Sequence, residues 1–116
     1  MKNIALLILA LACLPLQAVR AHAHLQSSLP ANGSVLAQAP ARLELVFAEA
    51  ATLTALVLEG PAAGEERKLG PLPDASAARL AVDLPPLPPG TYTVKYRVLS
   101  ADNHVMAGSI RFTIGR

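Results

Sequence analysis

The stretch TYTVKYRVL (Thr91–Leu99) puts Tyr92, Val94, Tyr96 and Val98 at every second position, with Thr93, Lys95 and Arg97 between them. Side chains of an extended chain leave alternate faces, so a period of two marks a strand with one face buried and one in water. The same pattern recurs on both sides of it. SIRFTI (Ser109–Ile114) aligns Ile110, Phe112 and Ile114, and RLAVDL (Arg79–Leu84) alternates cleanly. RLELVF (Arg42–Phe47) alternates before a fully apolar end, and LTALVL (Leu53–Leu58) is a further short run. Breakers separate these runs: a turn at Ala31-Asn32-Gly33-Ser34, Gly60 to Gly64, Pro71 to Asp74, and PPLPPG at Pro85–Gly90. The four prolines of that last segment have no N–H to give a sheet, so it cannot be a central strand. It reads as a stiff crossover between sheets, the alternative being a docking site for a polyproline-binding partner. The charged cluster Glu65-Glu66-Arg67-Lys68 reads as a solvated hairpin face. Six or seven short strands with little helix predict an all-β, antiparallel β-sandwich.

The chain is 116 residues long, enough for one domain. Hydrophobic residues make up 53% of it, and part of that excess sits at the start, in MKNIALLILALACLPLQAVRAHA. Lys2 is followed by an unbroken apolar run from Ile4 to Ala12, too short for a bilayer span of about 20 residues but suited to the core of an export signal. Pro15 breaks it, and Ala21-His22-Ala23 supplies a small-x-small cleavage site. Residues 1–23 are therefore expected to be a removed signal peptide, with 24–116 the exported domain. The only cysteine, Cys13, lies inside that leader. It reads as an apolar signal residue, the alternative being a lipid attachment site, for which Ala10 stands where leucine is preferred. The remaining domain has no thiol, so it must rely on its core alone.

Loss of Lys2 and Arg20 with the leader would leave basic and acidic residues equal in number, and the apparent basicity of the whole chain disappears. With no basic run and few aromatic residues, nucleic-acid binding has little support. No second apolar segment is long enough to span a membrane.

Two places carry chemistry. If cleavage follows Ala23, His24 acquires a free α-amine beside its imidazole. The two nitrogens can chelate one metal ion, because both shed protons near neutral pH, at about 7.7–8.0 and about 6.5. The second place is SADNH (Ser100–His104), just after the Thr91–Leu99 strand. Asp102 and His104 are two apart and, in an extended chain, point to one side. With His24 they make a set of two imidazoles, one amine and one carboxylate. Such nitrogen and oxygen donors in a tetragonal arrangement suit Cu(II) or Ni(II), and the affinity order favours copper. Zinc could use them, though it prefers a tetrahedron. His24 and His104 are the only histidines after residue 23.

These residues resemble the CopC-type family of periplasmic copper-binding proteins. HLQSSLPANG (His24–Gly33) is similar to the family's mature start, a histidine leading to Ser-x-Pro-x-x-Gly. LELVFAE (Leu43–Glu49) resembles its second strand, Gly90–Val94 its penultimate core strand, and Ser100-x-Asp102-x-His104 followed by Gly108-Ser109 its C-terminal metal motif. The resemblance implies an Ig-like Greek-key β-sandwich or barrel of about seven strands. It implies one Cu(II) per chain held by the amine and imidazole of His24, by His104 and by Asp102, with Glu49 as a weak or outer-shell carboxylate. It also implies a periplasmic carrier or buffer in copper homeostasis or resistance, and an inner-membrane copper transporter of the CopD type as partner. The chain departs from the family in two ways. Met106 is the one methionine after the leader, so a Cu(I) site of several thioethers is ruled out, and Met106 itself is expected in the core. Val105 replaces the proline that often follows the histidine.

Three other readings compete. An N-terminal histidine brace also serves copper-dependent polysaccharide monooxygenases, but this chain has no Trp and two Tyr to offer a sugar polymer. A metal-free Ig-like interaction domain would need neither His24 nor His104. Cleavage after Ala21 would instead expose His22-Ala23-His24, a three-residue N-terminal motif for Cu(II) or Ni(II) that does without Asp102 and His104.

Overall fold

Seven strands form where the apolar alternation runs, in a computed structural model that describes residues 24–115. The expectations for the leader, Cys13 and His22 lie outside the described residues. The strands are β1 (Leu25–Leu29), β2 (Ser34–Leu36), β3 (Arg42–Glu59), β4 (Glu66–Lys68), β5 (Ala77–Asp83), β6 (Gly90–Ser100) and β7 (Val105–Ile114). The described residues contain no helix.

The runs Arg42–Phe47 and Leu53–Leu58, expected as two strands, are the two halves of one 18-residue strand, β3. The physical reason lies between them: Ala48 to Thr52 contains neither glycine nor proline, so nothing stops the extended chain. The junction is instead marked by a change of neighbours. The first half of β3 pairs antiparallel with β1 and β5, and the second half with β4 and β6. The register breaks between Val46 and Ala51 on the β5 side and between Leu53 and Ala55 on the β6 side. Such irregularities bend and twist a strand, which lets it pass from one layer to the other. One layer is thus β1, β5 and the start of β3. The other is β4, the end of β3, β6, β7 and β2.

PPLPPG carries the chain from β5 to β6 and so from one layer to the other, as its stiffness predicts. Glu66 to Lys68 are all exposed and pair with Val57–Glu59, the solvated hairpin face expected for them. One pairing is not antiparallel. The turn closed by Ser34 N–H donating to Ala31 O (3.0 Å) reverses the chain, so β2 runs alongside β7 in parallel. Asn32 and Gly33 clamp that turn to β7. Arg111 N–H donates to Asn32 Oδ1 at 2.8 Å, and Gly33 N–H donates to Arg111 O at 2.6 Å. Gly33 has φ +84°, which a side chain would resist.

The core is built from the faces that the sequence aligns. Tyr92, Val94 and Val98 of β6 and Ile110, Phe112 and Ile114 of β7 are buried. They meet Leu56 and Leu58 from the same layer and Leu43, Leu45, Phe47, Leu80 and Val82 from the opposite one. Tyr92 and Phe112 are cross-strand partners and stack at 5.6 Å between centroids, a pairing worth about 0.5–1.5 kcal/mol beyond burial. Phe47 meets Tyr96 edge-on at 5.7 Å and ties the two layers together. Tyr96 lies down over its cross-strand partner Gly108, where a Cβ would collide with the ring.

Tyr92 also fixes the proline crossover. Its ring is fully buried, and its hydroxyl donates to Pro88 O at 2.6 Å, while Leu87 from the same loop packs into the core. Burial raises the Tyr92 pKa, so the hydroxyl keeps its proton and remains a donor. Tyr92→Phe is expected to lower stability by about 0.5–1.5 kcal/mol. In a domain of this size that lowers Tm by roughly 4–8 °C per kcal/mol. Thermal unfolding checks it; an unchanged Tm would mean that the hydroxyl does not hold the loop.

Candidate metal centre

The β6–β7 hairpin builds the site's one preformed contact. The ladder ends at Leu99 opposite Val105. Beyond it, Asn103 N–H donates to Ser100 O and Ser100 N–H donates to His104 O, each at 2.9 Å. Ala101 to Asn103 are thus a three-residue loop, a tight turn followed by a residue in the left-handed region. That residue is Asn103, with φ 68°. Asparagine tolerates this conformation better than most side chains, which is why glycine is not needed here.

The turn brings Asp102 and His104 together: Asp102 Oδ2 lies 3.0 Å from His104 Nδ1. The expectation was an extended segment with both side chains on one face. The two residues meet, but through the turn, with the left-handed Asn103 between them. Both are open to solvent, His104 at 60% and Asp102 at 43% side-chain exposure. The Ser100 hydroxyl donates to the other carboxylate oxygen, Asp102 Oδ1. That bond, chiefly, together with the neighbouring His104, lowers the Asp102 pKa from its ordinary 3.8 against a smaller opposing effect of desolvation.

His24 is reached through β3. Its carbonyl accepts Ala48 N–H at 2.9 Å, and Leu25 begins the ladder opposite Phe47. Ser100 lies opposite Ala51. Ala51 also pairs with Ala77 of β5, so β5 and β6 take opposite edges of β3 at that point. The first half of β3 has β5 on one edge and β1 on the other. It follows that β1 and β6 share an edge of β3, β1 up to Ala48 and β6 from Ala51. Between them is a break of two residues, Glu49 and Ala50, both exposed. His24 borders the break on one side, and the Ser100–His104 turn borders it on the other.

The four residues singled out from the sequence therefore belong to one end of the sandwich. Asp102 and His104 are in contact. Among the described residues, no three His, Cys, Asp or Glu side chains are gathered closely enough to hold a metal ion. The α-nitrogen of His24 is an amide for as long as Ala23 precedes it. Met106 is half-buried and packs against the core, as expected, while Val105 is exposed. Ser100 entered the sequence reading only as the first residue of the Ser100-x-Asp102-x-His104 motif; its place at the buried end of an apolar strand was the signal for more.

The larger surface hollows lie elsewhere. One of about 480 Å³ is bordered by Glu59, Glu65, Thr91 and Arg111, and another of about 480 Å³ by Ala55, Lys95, Tyr96 and Gly108. The Asp102–His104 pair is exposed and borders neither hollow. No helix among the described residues is long and apolar enough to cross a membrane.

Residues 25–115 match the CopC domain family. The chain is 34% identical over 104 residues to Copper resistance protein C of Escherichia coli, with 81% of this chain and 82% of that protein covered. It is also 34% identical over 104 residues to Copper resistance protein C of Pseudomonas syringae pv. tomato, with 82% of each covered. Among solved structures, CopC from Methylosinus trichosporium OB3b superposes with a TM-score of 0.68 at 26% identity, covering 81% of this chain and 94% of that one. PcoC from Escherichia coli, described as a methionine-rich copper resistance protein, gives 0.62 at 31% identity, covering 81% and 99%. The superposed folds and the sequence matches agree, and the chain belongs to the CopC family.

Proposed function

We propose that the protein is a periplasmic Cu(II) carrier or buffer in copper homeostasis or resistance, taking one Cu(II) per chain as cargo and doing no chemistry on it. The observation that carries this reading is the Asp102–His104 pair, standing beside the break in the β3 edge that His24 borders from the other side. Family membership supports it, since the relatives it matches are named copper resistance proteins.

In this reading the His104 imidazole and the Asp102 carboxylate form the standing half of the site. His24 supplies the other half, an imidazole and an α-amine, once the bond to Ala23 is cut. Glu49, in the break itself, adds an outer carboxylate. Nitrogen and oxygen donors of this kind suit Cu(II). Cu(I) prefers sulfur, and Met106 is the one thioether that the described residues contain. The solvated rim lets the ion exchange, and an inner-membrane transporter of the CopD type is the proposed recipient. Binding and release make up the whole cycle.

Native mass spectrometry of the exported protein is expected to show a chain beginning at His24 with one bound copper, lost in both His24→Ala and His104→Ala. Retention in both variants overturns the ligand set. Loss in His24→Ala alone would favour the His22-Ala23-His24 motif, provided the mass begins at His22.

Affinity for Cu(II) is expected to fall between about pH 7 and about pH 4, because protons compete for amine and imidazole donors. The lowered pKa of Asp102, held down first by the Ser100 hydrogen bond, makes its carboxylate less open to proton competition than an ordinary aspartate. Equal wild-type affinity at the two pH values would contradict nitrogen ligation.

The same shift has a consequence for folding. A carboxyl with a lowered native pKa stabilises the fold fully above its ordinary value and loses that contribution as pH falls through the native value. The Tm gap between wild type and Asp102→Asn in the metal-free protein is thus expected to persist down to about pH 4 and to close at lower pH. A gap that stays constant to about pH 2 would contradict the shift.

A further inference from the structure

The two outer faces of the sandwich differ in charge. On β6 the positions that alternate with the buried Tyr92, Val94 and Val98 are Thr93, Lys95, Arg97 and Leu99, so these look outward. Their cross-strand neighbours share that face. Arg111 stands opposite Thr93, Val57 and Ser109 flank Lys95, and Ala55 and Ala107 flank Arg97. Lys68 of β4 lies opposite Val57. Four cations, Lys68, Lys95, Arg97 and Arg111, thus share the strand positions of this face with two carboxylates, Glu59 and Glu66. Among the described residues only Lys95 of the four has a carboxylate within ion-pair distance, Glu59 at 2.7 Å. The outer face of β3 and β5 is balanced instead: Arg42 stands opposite Asp83, and Arg79 meets Glu44 at 3.4 Å. Basic and acidic residues are equal in number after residue 23, so the surplus on one face comes from placement and not from composition.

The same face is recessed and partly apolar. Its hollow of about 480 Å³ is floored by small residues, Ala55, Val57, Ala107 and Gly108, with Lys95 and Arg97 at the border. Next along the strands come Leu99 and its partner Val105, and Val105 is 63% exposed and follows His104 directly. An apolar centre ringed by charge, with arginine among the charges, is the make-up of a protein-binding patch. A second copy of this chain laid face to face would set cation against cation. A bilayer surface is too flat to fill a recess, whereas an apolar side chain of a protein can enter it. Charge complementarity then calls for carboxylates around that side chain.

We propose that the outer face of β6 and β7 around Lys95, Arg97 and Val105 docks a protein partner that presents carboxylates around an apolar side chain, next to the metal site. The nearness to metal rests on the copper reading above. The docking does not, and it is measured on the metal-free protein.

The probe is a synthetic peptide of alternating glutamate and leucine, titrated into the metal-free exported protein and followed by amide NMR. Binding is expected to shift the amides of Lys95, Arg97, Val105 and Ala107 first. It should weaken as salt rises from about 50 mM to about 500 mM, where charges are screened within a few ångströms. Arg97→Glu should weaken it about tenfold, because like charges then meet. Ala107→Glu puts a carboxylate at the hollow and should do the same, and it decides if Arg97→Glu does not fold. Arg42→Glu makes the same change of net charge on the opposite face and should leave binding unchanged. No binding up to about 1 mM peptide overturns the proposal, as does equal weakening by Arg42→Glu or a pattern of shifts away from these residues. So does sedimentation with phosphatidylglycerol vesicles in place of peptide binding, which would give the face to a membrane. Arg97→Glu is also expected to keep the Cu(II) affinity of the wild type. If the wild type binds no Cu(II), the copper reading fails and the titration still reports on this face.

Discussion

The architecture depends on one strand being shared by two layers. β3 could have been cut at Ala48–Thr52 by a glycine or a proline; it has neither, and the chain runs on through a bend. Because it does, the edge occupied by β1 passes to β6, and a short unpaired stretch opens between them. The beginning of β1 and the end of β6 are far apart in sequence, at residues 24 and 100. The bend makes them neighbours across Glu49 and Ala50. The candidate residues His24, Glu49, Asp102 and His104 are spread over the chain, and the shared edge brings their backbone positions to one end of the sandwich.

The fold was legible in the sequence wherever burial has a period. Tyr92, Val94 and Val98, and Ile110, Phe112 and Ile114, were aligned by alternation alone and are buried as aligned. What alternation could not show was continuity. Arg42–Phe47 and Leu53–Leu58 look like two strands because the residues between them lose the pattern where β3 changes neighbours. The parallel β2 was also hidden, since three residues carry no period and the pairing is fixed by Asn32 and Gly33 clamping onto β7.

Of the candidate site, the Asp102–His104 contact was legible and its geometry was not. Asp-x-His announced a carboxylate beside an imidazole, and they do meet. The route was not an extended strand but a tight turn with Asn103 in the left-handed region, a choice that depends on local hydrogen bonds more than on spacing. Ser100 was legible only as part of that motif: its burial beside two exposed residues and its hydrogen bond to Asp102 come from the turn and not from spacing. The methionine-rich description of the Escherichia coli PcoC structure does not extend to this chain, whose described part holds Met106 alone, packed against the core.

The outermost strands have a consequence for how the protein survives at high concentration. A sheet ends in unsatisfied N–H and C=O groups, which invite a second chain to add on. Here each outer strand is short, charged or closed by proline. β2 and β4 have three residues each, and all three of β4 are charged; β1 runs into Pro30, and β5 carries Arg79 and Asp83 ahead of the prolines at 85 and 86. None offers a long flat template for edge-to-edge growth. Residues 24–115 also hold no cysteine, so two chains that collide while partly folded have no thiols there with which to become covalently locked.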